Sequence, residues 1–202
     1  DSVMIDMTLY AEEFEEVFEK YEINTPLRKA HFVAQVAHES INMTALTESL
    51  NYSVKALIKT FSRSRISIAD AYTYGRHQGK AADQVMIGNI LYGGEYGKQN
   101  LGNISKDDGY NFRGRGAFQC TGRGNYKRFS TYFGVNFIEN PDLMSEPYYG
   151  LMFAGWYWKV NGLNALADAD DIVKITRKIN GGLNGADDRK LKLKQYKKYY
   201  NA

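Results

Sequence analysis

The sequence predicts a mainly α-helical domain with little β structure. Apolar residues recur at spacings of three and four through most of the 202-residue chain, as on the buried face of a helix. Capping residues precede several of these stretches, and a glycine-rich stretch interrupts the pattern near the middle. With 44% hydrophobic residues, the chain can bury a core as one domain or as one domain with two lobes.

The N-terminal part predicts two helices. Apolar residues spaced by three and four make residues 8–22 an amphipathic helix that Thr8 can cap. Thr25 followed by Pro26 indicates a second helix start, because proline at the first helical position gives up a donor that would be unpaired anyway. Its alanine-rich stripe predicts a largely buried helix that runs to about Ser40.

The middle of the chain predicts three short helices and then an irregular stretch. The helices are expected at 53–61, where Ser53 is the cap, at 66–74 and at 80–91. Residues 93–124 then contain nine of the 19 glycines and no periodicity. Ordering such a stretch is costly unless it packs or has a function. We expect it to line a cleft between two helical lobes, with short strands in NFRGRGAFQCT (111–121).

Helical patterns return in the C-terminal part. Helices are predicted at 123–134 and at 147–160, where Pro147 gives the start. DADDIVKITRKINGG (168–182) has acidic residues first, basic ones later and glycine at its end, which matches the helix dipole. A basic helix over about 186–200 follows. No repeat or linker is visible, so residues 1–202 are predicted to form a single catalytic domain without a separate binding module.

Composition excludes several classes of protein. No stretch approaches the roughly 20 apolar residues of a membrane span, and the N-terminus is acidic where a signal peptide is basic. A lone cysteine, Cys120, allows no internal disulfide and favours a reducing compartment. The net charge is +3, with Glu-rich residues 12–22 and Lys-rich residues 189–198. This segregation suggests an anionic partner, although a solvated helix face is the commoner reason for it.

Two kinds of catalytic site find little support. The HES tripeptide at His38 begins like the HExxH zinc motif, but no second histidine follows, and the chain has only three histidines. We therefore expect no metal and no cofactor. Cys120 with a histidine remains a rival nucleophile. A lone cysteine is more often a small buried hydrophobe.

Two glutamates, Glu39 and Glu48, suit glycoside hydrolysis. An inverting hydrolase needs one protonated carboxyl to donate to the leaving oxygen and one ionised carboxylate to activate water. Nine positions along one helix would turn the second carboxylate by half a turn and move it about 13 Å, so the helix must end near Ser40. Burial beside alanines favours the protonated form of Glu39, and the polar surroundings of Glu48 suit a base. The alternative is two ordinary surface charges.

Four motifs resemble one enzyme family. FVAQVAHES (32–40), LTESLNYS (46–53), GRGAFQCTGRGNY (114–126) and INGGLNGADDR (179–189) look, in this order, like the family-19 glycoside hydrolases, the chitinase-related family that many bacteriophages use as endolysins. The resemblance implies a lysozyme-like or chitinase-like helical fold with two lobes around a deep cleft, and an inverting mechanism.

The resemblance also implies roles for single residues. Glu39 would be the general acid and Glu48 the general base, and Thr121 would help to hold the attacking water. The alternative for Asn180 is that it only ends its helix. Arg189 is expected to orient the carboxylates, and the alternative is that it only pairs with Asp187 or Asp188. The residues expected near the substrate are Asn51, Tyr52, Gln119, Asn125, Tyr126 and Asn180.

The substrate follows from a departure within the family. Residues 62–84 differ from plant-type chitinases and look like the phage branch, which favours peptidoglycan, cut between N-acetylmuramic acid and N-acetylglucosamine. The enzyme would wait in the bacterial host cytoplasm until lysis releases it to the periplasm and wall. A chitinase, a lytic transglycosylase, a Cys120 peptidase and a non-catalytic wall-binding module remain alternatives.

The expected partners follow from the same reading. They are peptidoglycan glycan strands and an anionic wall or outer-membrane lipid, held by the basic helix that carries Lys190, Lys192, Lys194, Lys197 and Lys198. No nucleic acid is expected, and the protein is expected to be a monomer.

Overall fold

The computed structural model describes residues 3–202. Over this range the chain forms twelve α-helices and one 3-10 helix, Pro141–Ser145. The α-helices are α1 (Ala11–Lys20), α2 (Pro26–Glu39), α3 (Val54–Thr60), α4 (Ile68–Tyr74), α5 (Gln84–Leu91), α6 (Gly94–Leu101), α7 (Asp108–Asn111), α8 (Arg123–Phe133), α9 (Pro147–Val160), α10 (Leu163–Asp168), α11 (Ile172–Asn180) and α12 (Ala186–Tyr200).

The mainly α fold class is confirmed. Each helix predicted from periodicity lies within a few residues of an observed one. Extended pairing in the described residues is limited to isolated bridges, so the strands expected in 111–121 reduce to single contacts. No helix among residues 3–202 has both the length and the apolar character to cross a bilayer.

Side-chain caps explain several helix starts. The Thr25 hydroxyl accepts from the Arg28 amide at 3.1 Å ahead of α2. Ser53 caps α3 in the same way through the Ala56 amide, at 3.1 Å. Such caps satisfy amides that have no carbonyl partner in the first turn. The sequence predicted these two starts correctly because the capping residue stands directly before each apolar pattern.

The chain divides into two compact units. The first comprises the described part of Asp1–Leu46 together with Gly116–Gln119 and Met144–Ala202. The second comprises Thr47–Arg115 and Cys120–Leu143. We call them the α2/α12 unit and the α3–α8 unit.

The α2/α12 unit is built on the long packing of α2 against α12, with α1 and α10 against α9. Phe32 lies in its centre, where its ring meets Trp158 edge-on at 5.3 Å between centroids. Trp158 is fully buried, and its indole donates to Asn164 at 2.9 Å, so the polar edge of the largest core side chain is satisfied.

The α3–α8 unit has its own core. Its buried apolar residues are Leu50, Val54, Leu57, Ile66, Ala71, Ile87 and Leu91. Helix α5 packs on α7 at a point where two glycines meet, since a Cβ on Gly109 would lie 2.3 Å from the Gly88 carbonyl oxygen. The glycine-rich stretch therefore serves close backbone packing, which the sequence had offered as one of two explanations.

The end of α2 fulfils the condition set by the two glutamates. The helix stops at Glu39 and is capped by Ser40. Ile41, Asn42 and Met43 then have φ of 49°, 57° and 67°, which no helix can continue through. The Ser40 hydroxyl accepts from the Met43 amide at 2.8 Å and thereby closes this turn. The predicted break near Ser40 is confirmed.

Candidate functional site

Glu39 is the last residue of α2 and belongs to the α2/α12 unit. Its side chain is 20% exposed. The guanidinium of Arg189, on α12, donates to Glu39 Oε1 at 2.6 Å and is itself 1% exposed. A charge-assisted hydrogen bond of this length is strong and fixes the carboxyl group. Glu39 is thus held by a buried cation, in place of the apolar surroundings that its alanine-rich neighbours suggested.

Arg189 is itself held on two further sides. Its Nη1 donates to the fully buried amide oxygen of Gln35, and its Nε donates to the Asn184 carbonyl at 3.1 Å. Arg189 therefore contacts Glu39 and neither Asp187 nor Asp188. Gln35 has no counterpart among the expected site residues, although it stands one helical turn before Glu39 on the same face, which is the available signal.

A second polar contact joins the same two helices beside this one. His38 Nδ1 and Asp188 Oδ2 are 2.6 Å apart, and Lys192 donates to the other Asp188 oxygen at 3.0 Å. Burial opposes ionisation of Asp188, but its hydrogen bonds with His38 and Lys192 prevail and lower the pKa of this carboxyl. The HES segment is thus fixed to α12 by two consecutive residues.

Asn180 ends α11, as its alternative interpretation had it, and its expected contact with the sugar stays a prediction. It is exposed at the end of α11, which Gly181 terminates with φ of 83°. Its side-chain oxygen accepts from the Asn184 amide at 3.2 Å. Asn184 in turn offers its carbonyl to Arg189, so Asn180 is linked through one residue to the guanidinium that holds Glu39.

Glu48 belongs to the α3–α8 unit and is half-buried. Its amide donates to the Gly114 carbonyl at 2.7 Å, and its Oε2 accepts from the Gly114 amide at 2.9 Å. Its Oε1 accepts a short hydrogen bond from the Tyr92 hydroxyl. Each carboxylate oxygen thus has one donor, whereas the sequence suggested a solvated charge.

Tyr92 is the residue near Glu48 that sequence reasoning missed. It caps the end of α5, before the glycine pair at 93–94. Burial first, and then the Glu48 charge, raise the pKa of Tyr92, so this phenol keeps its proton at neutral pH. Nothing in the local sequence distinguishes Tyr92 from the chain's other 15 tyrosines, because its contact crosses 44 residues.

Three chain segments meet at Arg115. Thr47 pairs with it on one side and Cys120 on the other, both antiparallel. Glu48 and Thr121 each come one residue after these partners. Neighbouring extended segments lie about 4.8 Å apart, which gives about 10 Å between the backbones of Glu48 and Thr121. Thr121 is half-buried, and its carbonyl accepts from the Asn125 side chain at 2.7 Å.

Tyr126 is buried beside the segment that contains Arg113 and Arg115. It is 0% exposed. Its hydroxyl donates to the Arg113 carbonyl at 2.6 Å and accepts from the buried Arg115 at 2.9 Å. A ring without an exposed face cannot stack on a sugar, so burial gives Tyr126 the role of supporting the Arg115 segment.

Asn51 and Tyr52 follow Glu48 in the same unit. Asn51 is exposed, and both its carbonyl and its side-chain oxygen accept from Arg76 Nη1, at 2.9 and 2.7 Å. Tyr52 is half-buried against Phe61, edge-on at 5.5 Å. Burial first and Glu48 second raise the pKa of Tyr52. The charge of Glu48 is therefore felt at this ring.

Gln119 and Asn125 are both half-buried. Gln119 belongs to the α2/α12 unit, has φ of 55° and donates from its side chain to the Gly116 carbonyl at 3.1 Å. The side-chain oxygen of Asn125 accepts from Arg128. Their expected contacts with sugar stay predictions.

The rival nucleophile Cys120 and a further carboxyl group, that of Asp108, both have structural surroundings. Cys120 is 1% exposed, and burial raises the pKa of its thiol, which suits the small buried hydrophobe and not a nucleophile. Asp108 is also 1% exposed. Its carboxylate accepts from Arg123 at 2.8 and 2.9 Å and from the amides of Ile104 and Ser105, and these contacts with a buried carboxylate are structural.

The basic C-terminal helix is less free than its sequence suggested. Lys192 is paired with Asp188, and Lys197 donates to Asp170 at 2.7 Å. Lys192 thus pairs within α12, and Lys197 ties the helix to the segment before α11. Of the five lysines, Lys190, Lys194 and Lys198 remain exposed for an anionic partner.

Comparison with known proteins identifies the family. No family model matches the sequence. A Haemophilus influenzae protein, described as a glycosyl hydrolase family 19 domain-containing protein, is 36% identical over 163 residues, which cover 81% of this chain and 75% of that protein.

Solved structures agree in fold. Chitinase C from Streptomyces griseus is 18% identical with a TM-score of 0.58, over 95% of this chain and 69% of that one. A bacterial family 19 chitinase is 16% identical with the same TM-score, over 94% and 85%. The identity and coverage of the Haemophilus influenzae relative decide the assignment: this chain belongs to glycosyl hydrolase family 19.

Proposed function

We propose that this glycoside hydrolase is an endolysin that cleaves the β-1,4 bond between N-acetylmuramic acid and N-acetylglucosamine in bacterial peptidoglycan. The observation that carries the chemistry is the pair of fixed carboxylates, each with its own hydrogen-bond partners. Arg189 holds Glu39, and Tyr92 and Gly114 hold Glu48. Two glutamates fixed in this way meet the requirement of an inverting mechanism for one acid and one base.

Glu39 is the proposed general acid. Arg189 occupies its Oε1 only, and within residues 3–202 its Oε2 has no hydrogen-bond partner. This oxygen is free to carry the proton that passes to the leaving sugar oxygen. Tyr157 lies nearby, since burial first and then the charge of Glu39 raise the pKa of this phenol. Arg189 therefore has the role of orienting the acid.

Glu48 is the proposed general base. It takes a proton from water while the water oxygen bonds to the anomeric carbon and the glycosidic bond breaks. Tyr92 and Gly114 each donate to one of its oxygens and leave further lone pairs for water. Thr121, on the far side of Arg115, is proposed to hold the same water. Asn51, Tyr52, Gln119 and Asn125 are proposed to contact the sugars.

The choice of peptidoglycan rests on residues 62–84, which resemble the phage branch of the family. Chitin is the second candidate, because the solved structures with this fold are named chitinases. Both polymers contain β-1,4-linked N-acetylhexosamines, so the two carboxylates serve either one.

Product analysis tests this proposal. Purified peptidoglycan and chitin are digested in parallel, and the fragments are examined by mass spectrometry and by NMR of the new anomeric centre. We expect fragments from peptidoglycan that have gained water, end in N-acetylmuramic acid and first appear with inverted configuration. Anhydro sugars would instead indicate a transglycosylase, release of amino groups a peptidase, and digestion of chitin alone a chitinase.

A further inference from the structure

The α3–α8 unit carries a groove outside the carboxylate centres. It has a volume of about 810 Å³ and is lined by residues of α3 and α4 and by the turn that follows α4. Its apolar surface comes from Val54, Ile58 and Tyr72, and Tyr72 is 54% exposed. A second depression of about 420 Å³ continues from it and shares Arg76, His77 and Gln78.

The rim of the groove is basic. Lys55, Lys59 and Arg76 line it, all three exposed, and Lys80 lines the continuing depression. Of the charged residues from 51 to 82, six are Lys or Arg and one is acidic, Asp70, which lines neither depression.

Lys55, Lys59 and Arg76 form no ion pair within residues 3–202. Among residues 3–202, neither Lys55 nor Lys59 has an acidic or hydrogen-bonding partner, and the Arg76 guanidinium donates only to the neutral Asn51. Lys55 and Lys59 stand four apart on α3, where like charges repel each other and weaken the helix. The arrangement is therefore suited to an anion from outside the chain.

The groove is linked to the substrate segment. Arg76 lines it and also holds Asn51, three residues after Glu48. The Arg76 amide donates to the Tyr52 carbonyl at 2.9 Å, so the strip between groove and catalytic base is short and fixed. A ligand group in the groove would lie beside the segment that we assign to the glycan.

We propose that this groove binds the peptide stems that branch from the peptidoglycan glycan, with their carboxylates on Lys55 and Lys59 and their alanine methyl groups on Val54, Ile58 and Tyr72. The proposal rests on the proposed function, which supplies a glycan with acidic peptides. Charge complementarity favours this occupant. An uncharged glycan would leave the two lysines without counter-charges, and a flat lipid surface would not fill a groove.

The test measures peptide binding without cleavage. The probe is an N-acetylated stem tetrapeptide, L-alanyl-γ-D-glutamyl-diaminopimelyl-D-alanine, which carries more carboxylates than amines. It is titrated by NMR into the full chain carrying Glu48→Gln. We expect saturable shifts at residues of the groove, and weaker binding as salt rises.

The matched variants are two double substitutions with the same change in charge. Lys55→Gln with Lys59→Gln should weaken binding roughly five-fold at low salt, because two exposed charge contacts are lost. Lys106→Gln with Lys127→Gln removes two exposed lysines of the same unit outside the groove, and binding should stay unchanged. Circular dichroism confirms that both variants fold.

Several outcomes would overturn the inference. They are no peptide binding, equal weakening in both double variants, or groove shifts with a chitin oligosaccharide or with vesicles of anionic lipid but not with peptide. Glycan cleavage by the wild type is scored separately. Cleavage of peptidoglycan without peptide binding removes the groove proposal alone, whereas peptide binding without cleavage removes the proposed function alone.

Discussion

Arg189 donates a 2.6 Å hydrogen bond to Glu39 across 150 residues of sequence and is itself almost fully buried. The contact joins α12 to the end of α2, so the proposed acid has its orientation from a different part of the chain. Removal of either partner leaves the other uncompensated.

Replacement of Arg189 by methionine should therefore affect both stability and turnover. Loss of one partner of a buried ion pair costs about 3 kcal/mol, which lowers the Tm by about 10 °C in a domain of this size. A loosened Glu39 should lower kcat about 100-fold with little change in KM. The exposed Arg177 offers a control, and Arg177→Gln should leave both quantities unchanged. Full turnover by Arg189→Met would mean that Glu39 needs no support.

Replacement of Tyr92 by phenylalanine removes one of the two donors to Glu48. A hydrogen bond to a charged group is worth about 1.5–3 kcal/mol, so kcat/KM should fall at least about ten-fold while the fold is retained. Tyr96→Phe is the control, because Tyr96 faces Arg65 with its ring, which phenylalanine keeps. Steady-state kinetics on a soluble glycan decide the matter. Equal rates in the two variants would contradict the assigned role of Tyr92.

Much of the fold follows from local sequence, and the partners within the site do not. Thr25 and Ser53 mark helix starts because a cap acts on amides three residues away, and the Ser40 break follows from the need to separate two carboxylates. Tyr92 was missed because its contact with Glu48 crosses many residues. Helices α6, α7 and α10 were also missed. In α6 and α7 the reason is glycine, which has a low helix propensity that packing compensates for here.

His31 predicts a dependence of stability on pH. It is buried, its Nε2 lies 2.6 Å from Asp170, and its Nδ1 finds no hydrogen-bond partner among residues 3–202. Burial lowers the pKa of His31 below its ordinary value of 6.5, and this outweighs the opposite effect of Asp170. At a pH between the pKa of His31 in the folded protein and 6.5, this histidine is protonated in the unfolded chain but not in the folded one. The free energy of unfolding is therefore highest above this range and decreases as the pH falls through it.

Denaturant unfolding between pH 7 and pH 5 measures this effect. The free energy of unfolding should decrease with a slope of at most about 1.4 kcal/mol per pH unit, and His31→Gln should reduce the slope. His77→Gln, at a partly exposed histidine, should leave it unchanged. If the free energy of unfolding of His31→Gln kept the wild-type slope against pH, a group other than His31 would be responsible for the proton uptake.

Cys120→Ala should keep glycan hydrolysis, because the thiol is buried and has no assigned part in the chemistry. A stability loss of about 1 kcal/mol is expected from the missing sulfur. Alkylating reagents should label the native protein slowly and leave its rate unchanged. If Cys120→Ala lost its activity and kept a native circular dichroism spectrum, the peptidase alternative would be supported.

Glu39 and Glu48 are proposed to carry the hydrolysis together. The most direct measurement counts new reducing ends released from purified peptidoglycan by the wild type, Glu39→Gln and Glu48→Gln, with Glu146→Gln as a control for the loss of a surface charge. We predict that the wild type and Glu146→Gln release reducing ends at similar rates and that the other two variants release almost none while remaining folded. Full activity in either Glu39→Gln or Glu48→Gln would contradict the mechanism.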